Sequence, residues 1–222
     1  MIYTIVSVSD TDAVRNAALA ANLAASRAKE GRKVLLIEAN LHMHLLLWTL
    51  RRYKREATLN FPVLPLTDGG LYQALHDHRS TYRDIVVNVG ATNSSLLRSA
   101  LIAAKVLIIP VTNQHMQLKN QGALKKITDT AKLLNPLVQT HLLPSGLPSS
   151  MLVQDYAVAL AEQYPSCSVE ANIIADSSEA LRAFQRGLSI FEGVCDDDAE
   201  MRSMARLCRQ LSSSAAGKAL VR

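Results

Sequence analysis

The chain is short of glycine where glycine would matter most. It has 9 in 222 residues, and the first is Gly31. A phosphate cradle needs backbone that takes positive φ and lets N–H groups approach the anion closely, so the segment before Gly31 lacks the usual means of making one. Cysteine is scarce too: Cys167, Cys195 and Cys208 are odd in number and show no C-x-x-C spacing. That excludes a disulfide framework and a cysteine zinc site. No apolar run reaches membrane-spanning length, and the start Met-Ile-Tyr-Thr-Ile-Val lacks the marks of a secretory signal, so a cytoplasmic location is expected. Aromatics are 5% of the chain and no helix-turn-helix signature is present, so base-specific reading of nucleic acid is not indicated. With 7 prolines and 49% hydrophobic residues, collagen-like, linker and disordered classes are excluded.

What is present fits one folded domain. Lys and Arg total 24 against 19 Asp and Glu, a formal charge of +5 that permits contact with nucleic acid or an acidic surface. Residues 2–8 are rich in β-branched side chains, and residues 12–29 are alanine-rich helix formers stopped by Gly31. Residues 33–38 (KVLLIE) form a continuous apolar run, as expected of a strand buried on both faces, so the opening is a β-α-β unit. Strand-like runs recur at 84–89, 105–111, 138–143 and 169–174, with helical segments between them. Leu124, Ile127, Ala131 and Leu134 make one such segment amphipathic. The pattern predicts a doubly wound α/β domain, a mostly parallel sheet with helices on both faces and a ligand crevice at the carboxyl ends of the strands. The domain is expected over 1–211, with 212–222 as a frayed tail.

These segments resemble the ParA/MinD group of P-loop ATPases, which position plasmids, chromosomes and other cargo in bacteria. The likeness runs nearly end to end and rests on five stretches in the group's order. They are Ala20–Ala25 with Gly31–Asn40 (first helix and second strand), Tyr82–Gly90 (Walker B strand), Leu101–Val111, and Ala175–Glu192 (late loop and helix near the adenine). The resemblance implies a P-loop NTPase fold.

The departures carry more information. Where the group has Lys-Gly-Gly-x-Gly-Lys-Thr-Thr, register with Asn22 places Thr11, Asp12, Ala13, Val14, Arg15, Asn16, Ala17 and Ala18. The lysine that reaches across a dimer falls on Thr11, the phosphate lysine on Asn16 and the magnesium hydroxyl on Ala17. The switch aspartates fall on Glu38 and Asn40, and the Walker B aspartate on Asn88, two residues before Gly90. A neutral Asn88 cannot supply a magnesium carboxylate. Asp10 and Asp12 put carboxylates at the first helix N-terminus, where they would oppose a triphosphate or act as N-caps. Only Arg15 offers a cation there. The degenerate loop 10–17 is therefore expected to bind neither ATP nor magnesium.

Three further features invite a role. Leu45 to Leu50 runs into Arg51-Arg52-Tyr53-Lys54-Arg55, with the lone Trp48 among them, a candidate partner or dimer surface or else a core helix with a solvated end. Lys119, Lys125 and Lys126 on one helix, and Arg202, Arg206 and Arg209 at spacings of four and three, are candidates for phosphate contact with DNA, with a solvated face the plain alternative. His42/His44 and His76/His78 are spaced to point apart on a helix, so no metal is expected. Ser145 and Ser149 sit in a Pro/Gly-rich loop that reads as a turn.

The expectation is a partition or positioning protein without ATP hydrolysis, acting through protein partners and non-specific DNA contact. The partner would be a second copy in a nucleotide-independent homodimer, or an active relative. The alternatives are an atypical active ATPase using Arg15 and Glu38, or an accessory factor for a secretion, conjugation or polysaccharide-export machine.

Overall fold

The computed structural model describes residues 1–55, 60–67, 69–90, 94–116, 121–147, 152–170, 178–192 and 198–217. Seven strands form one sheet: β1 (Ile2–Ser7), β2 (Val34–Ala39), β3 (Val63–Pro65), β4 (Asp84–Gly90), β5 (Val106–Val111), β6 (Gln139–Pro144) and β7 (Ser168–Val169). Their order is β3-β2-β4-β1-β5-β6-β7, and every pairing is parallel. β2, β4 and β5 are buried at every position, which is why they read as unbroken apolar runs. From β1 the chain first moves to one side, and after β4 to the other, leaving the carboxyl ends of β1 and β4 at the switch point.

Helices cover both faces. α1 (Ala13–Lys29), α2 (His44–Tyr53), α8 (Ser178–Gln185) and α9 (Asp198–Gly217) share one core with Tyr3, Ile5, Leu36 and Val86. The alanines of α1 let it sit close on the sheet, so it is buried along nearly its whole length. α3 (Leu71–His78), α4 (Ser94–Ala103), α6 (Gln121–Leu134) and α7 (Val153–Gln163) pack on the other face against Val6, Leu35, Val87 and Ile109, and the single turn α5 (Asn113–Met116) follows β5. At the amino ends of the strands, Asp84 is fully buried and accepts hydrogen bonds from Arg27 Nε at 3.0 Å and from Arg32. Burial alone would raise its carboxyl, but the Arg32 and Arg27 hydrogen bonds outweigh it and hold the pKa below the usual range.

The expected strands are observed in order, with one more that was not expected, β3 at the sheet edge, and two further differences. Of the strand expected at 169–174 only its first residue, Val169, is in β7, and 171–174 lie outside the described residues. The expected tail does not begin at Ser212: α9 continues to Gly217, and Ser212 Oγ donates to Cys208 O at 2.6 Å while Tyr3 Oη donates to Ser212 Oγ at 3.4 Å. Serine and alanine are compatible with a helix once its apolar stripe, here Met204, Leu207, Cys208 and Leu211, has a core to enter. No helix among the described residues is long and apolar enough to cross a membrane.

Candidate functional site

The loop from β1 to α1 closes as a tight 3-10 turn over Asp10–Asp12, with Asp12 N donating to Ser9 O and Ala13 N to Asp10 O. None of its residues has positive φ. Asp10 and Thr11 point outward, with Asp10 3.4 Å from His42 Nε2. Asp12 occupies the N-cap position, yet its side chain does not cap the helix, contrary to the capping expectation. Instead its carboxylate accepts from Ser9 Oγ at 2.5 Å and from His115 Nε2 at 3.0 Å, with Arg15 at 3.8 Å. Burial raises its pKa, but the His115 and Ser9 hydrogen bonds prevail and lower it. His115 Nδ1 accepts from Thr112 N at 3.0 Å, so Nε2 carries the ring hydrogen toward Asp12. Tyr156 Oη then donates to Thr112 O at 2.7 Å, extending the chain of bonds to α7. Ser9 Oγ donates to the Asp12 carboxylate and not to the His115 imidazole, so the three do not form a Ser-His pair.

Beneath this loop lies a polar layer. Glu38 is fully buried and accepts three hydrogen bonds: Leu45 N at 2.7 Å, Asn88 Nδ2 at 2.7 Å and Asn40 N at 3.3 Å. Desolvation pushes its pKa up to about 7, against the pull of those donors. Asn40 Oδ1 accepts from His42 N at 3.1 Å, and its amide lies against Gly90, where an added Cβ would sit 3.4 Å from Nδ2. Asn16 Nδ2 donates to Ser7 Oγ at 2.8 Å. Asn16 Oδ1, Asn40 Nδ2 and Asn88 Oδ1 are buried with no partner among the described residues. Ala13 and Ala17 are buried beside them, and Val14 is half-buried.

The structure thus gathers the positions that the sequence singled out, 10–17 with Glu38, Asn40, Asn88 and Gly90, at one crest of the sheet. The loop lacks positive φ, Asp12 is engaged by His115, and Glu38 is already spent on three donors. Asn88 and Ala17, both uncharged and buried, complete this crest.

The basic helix segment divides. Trp48 and Arg52 are buried and do not belong to an exposed surface, which corrects their place among the partner residues. Trp48 stacks between Phe61 and Phe184, each with centroids 6.0 Å away, and donates from Nε1 to Leu188 O at 3.1 Å. The Arg52 guanidinium lies 4.8 Å over Trp48 and forms a forked pair with Glu192, both contacts 2.6 Å. Arg51, Tyr53, Lys54 and Arg55 are exposed. The other basic residues also divide. Lys125 and Lys126 are exposed on α6, with Lys125 paired to Asp129 at 2.5 Å, while Arg202, Arg206 and Arg209 are exposed on α9, across the sheet. Lys119 lies outside the described residues, as do Ser149 and Cys195.

No group of three or more potential ligands able to hold a metal occurs among the described residues. His42 and His44 do not point apart, since their rings stack at 5.8 Å: His42 belongs to the turn before α2, not to the helix. His115 and Glu192 went unnoticed in the sequence, because each meets its partner only through the fold.

No protein-family model and no curated protein sequence matches this chain. Its likenesses are to solved structures. A plasmid partition protein of Borrelia burgdorferi B31 bound to AMPPNP is 15% identical, with a TM-score of 0.67 over 96% of this chain and 98% of that one. MinD in the MinC:MinD cell division complex of Aquifex aeolicus is 14% identical, TM-score 0.70, over 96% of each chain. Apo McdA of Cyanthece is 15% identical, TM-score 0.70, over 96% of this chain and 100% of its own. The chain therefore has the seven-stranded P-loop NTPase fold of the ParA and MinD proteins.

Proposed function

We propose that this chain is a ParA/MinD-type partition or positioning protein that no longer hydrolyses ATP and works as a binding scaffold. The observation that carries the reading is the Glu38 network. A nucleotide-responsive crest keeps carboxylates free to follow a metal and a γ-phosphate. Here the one carboxylate in that layer ties β2, β4 and the start of α2 together through Asn88, Asn40 and Leu45. The Asp12–His115 bond closes the loop above it. Partner binding then depends on surfaces that stand ready without nucleotide, either with a second copy or with another protein. Non-specific DNA contact belongs to the same reading, through the exposed α9 row of Arg202, Arg206 and Arg209.

Titration calorimetry and thermal melting with MgATP test it. A ligand at a hundred times its dissociation constant stabilises by about 2.7 kcal/mol, which a melting curve reads easily. The expected result is no heat of binding, no thermal shift and no phosphate release. A clear shift with turnover favours instead an atypical ATPase in which Arg15 and Glu38 replace the missing groups.

A further inference from the structure

Two helix faces on this molecule match one another, and the fold prevents them from meeting within one chain. On α2, the side turned away from Trp48 and Leu45 exposes Leu47, Leu50, Arg51 and Lys54, spaced i, i+3, i+4 and i+7. Leu47 and Leu50 are 46% and 57% exposed, and neighbouring Tyr53 reaches 89%. This is an apolar pair followed by a basic pair on a helix whose other side is held by Leu45, Trp48 and Arg52.

On α7, the side turned away from Tyr156 and Leu160 exposes Asp155, Val158, Ala159 and Glu162 at the same spacing. Here an apolar pair lies between two carboxylates, with Leu152 extending the apolar surface one turn back. None of Arg51, Lys54, Asp155 and Glu162 forms an ion pair with another described residue. Each face has what the other lacks.

The faces lie on opposite sides of the sheet. Leu45 and Trp48 enter the core shared with α1, whereas Tyr156 and Leu160 enter the core of the other face. The geometry points to a second copy of this chain as the occupant, with α2 of one molecule laid on α7 of the next. Leu47 and Leu50 meet Val158 and Ala159, and the basic pair at one end of the apolar pair reaches the carboxylate on that side, Glu162 if the helices run parallel and Asp155 if antiparallel. The contact is heterologous, since two different patches meet, so each added copy presents a fresh unused face and the assembly grows into a ring or an open row. Two helical turns per side make a smaller contact than the roughly 800 Å² per partner of a standard interface, so the association is reversible and weakened by salt.

This pairing deepens the scaffold reading by naming the partner and the surface, and its test separates the two. Sedimentation velocity of the full chain at rising concentration, with and without MgATP, is expected to show growth past a dimer at low salt and monomer at high salt. R51E/K54E and D155K/E162K should each remain monomeric, with melting curves like the parent because all four positions are exposed. Mixing the two variants, or combining all four changes in one chain, should restore growth. A monomer at every concentration at low salt overturns the proposal. So does association untouched by D155K/E162K, which would place the self-contact away from α7, and so does failure of the swapped pair to recover. Swap-dependent growth that requires MgATP supports the pairing and overturns the loss of nucleotide.

Discussion

At the scale of single residues, the crest is held by internal hydrogen bonds, and Glu38 stands at their centre. Its carboxyl is raised from 4.5 to about 7 by burial, and beside it Asn88 Oδ1 has no partner among the described residues. A folded pKa above the unfolded one means that the native state binds more protons between pH 4.5 and about 7. Stability from this group is therefore full below 4.5 and is lost as pH rises through about 7, a change of roughly 3 kcal/mol. Urea unfolding across that window should show stability falling as pH rises, and Glu38→Gln, neutral throughout, should flatten the fall. Equal slopes in the two proteins would refute the assignment. The sequence marked Asn16, Ala17, Asn40 and Asn88 as losses because each stands in a known register, yet it could not say what Glu38 and Asp12 do instead. Asp12 finds His115 across the sheet crest, and no local pattern encodes such a meeting.

At the scale of elements, the strands were legible because burial on both faces leaves a continuous apolar signature in β2, β4 and β5. β3 left no such mark: it is three residues long, lies at the sheet edge and ends in Pro65. α2 was legible as a helix but not as to which side faces inward, since apolar and basic residues occur all around it. The structure shows that its end is latched by Arg52, held between aromatic faces and forked onto Glu192. The latch tolerates little change, since Gly187 has φ +82 and an added Cβ would meet Arg52 N at 2.5 Å. Breaking one side of a buried pair leaves an uncompensated charge, so Arg52→Met should destabilise by about 3–5 kcal/mol. Adding Glu192→Leu should return only part of that loss, because it removes the stranded carboxylate but leaves Ser189 N and Oγ, which donate to Glu192 Oε2 at 3.0 and 2.8 Å, without their acceptor. Chemical denaturation of both variants, with Glu192→Leu alone as the third corner of the cycle, checks this, and strictly additive losses would show that Arg52 and Glu192 do not depend on one another.

At the scale of the whole molecule, the sheet decides what the charge of +5 can do, because it separates the basic clusters. Arg202, Arg206 and Arg209 stand on α9 over the core that holds α1, while Lys125 and Lys126 stand on α6 over the other. A straight duplex cannot follow both surfaces of a sheet with helices on each side, so one row dominates any phosphate contact. The arginines are the stronger candidates, since three lie exposed on one helical face at spacings of four and three. Binding to duplex DNA, measured as salt is varied, should therefore respond to R202Q/R206Q/R209Q with weaker affinity and a shallower salt slope, by about 0.9 per phosphate contact removed. K125Q/K126Q should leave the slope unchanged. Equal losses from both variants would mean that DNA wraps around the domain edge. Absence of binding at low salt would remove DNA from the scaffold's partners and leave α9 as a solvated face.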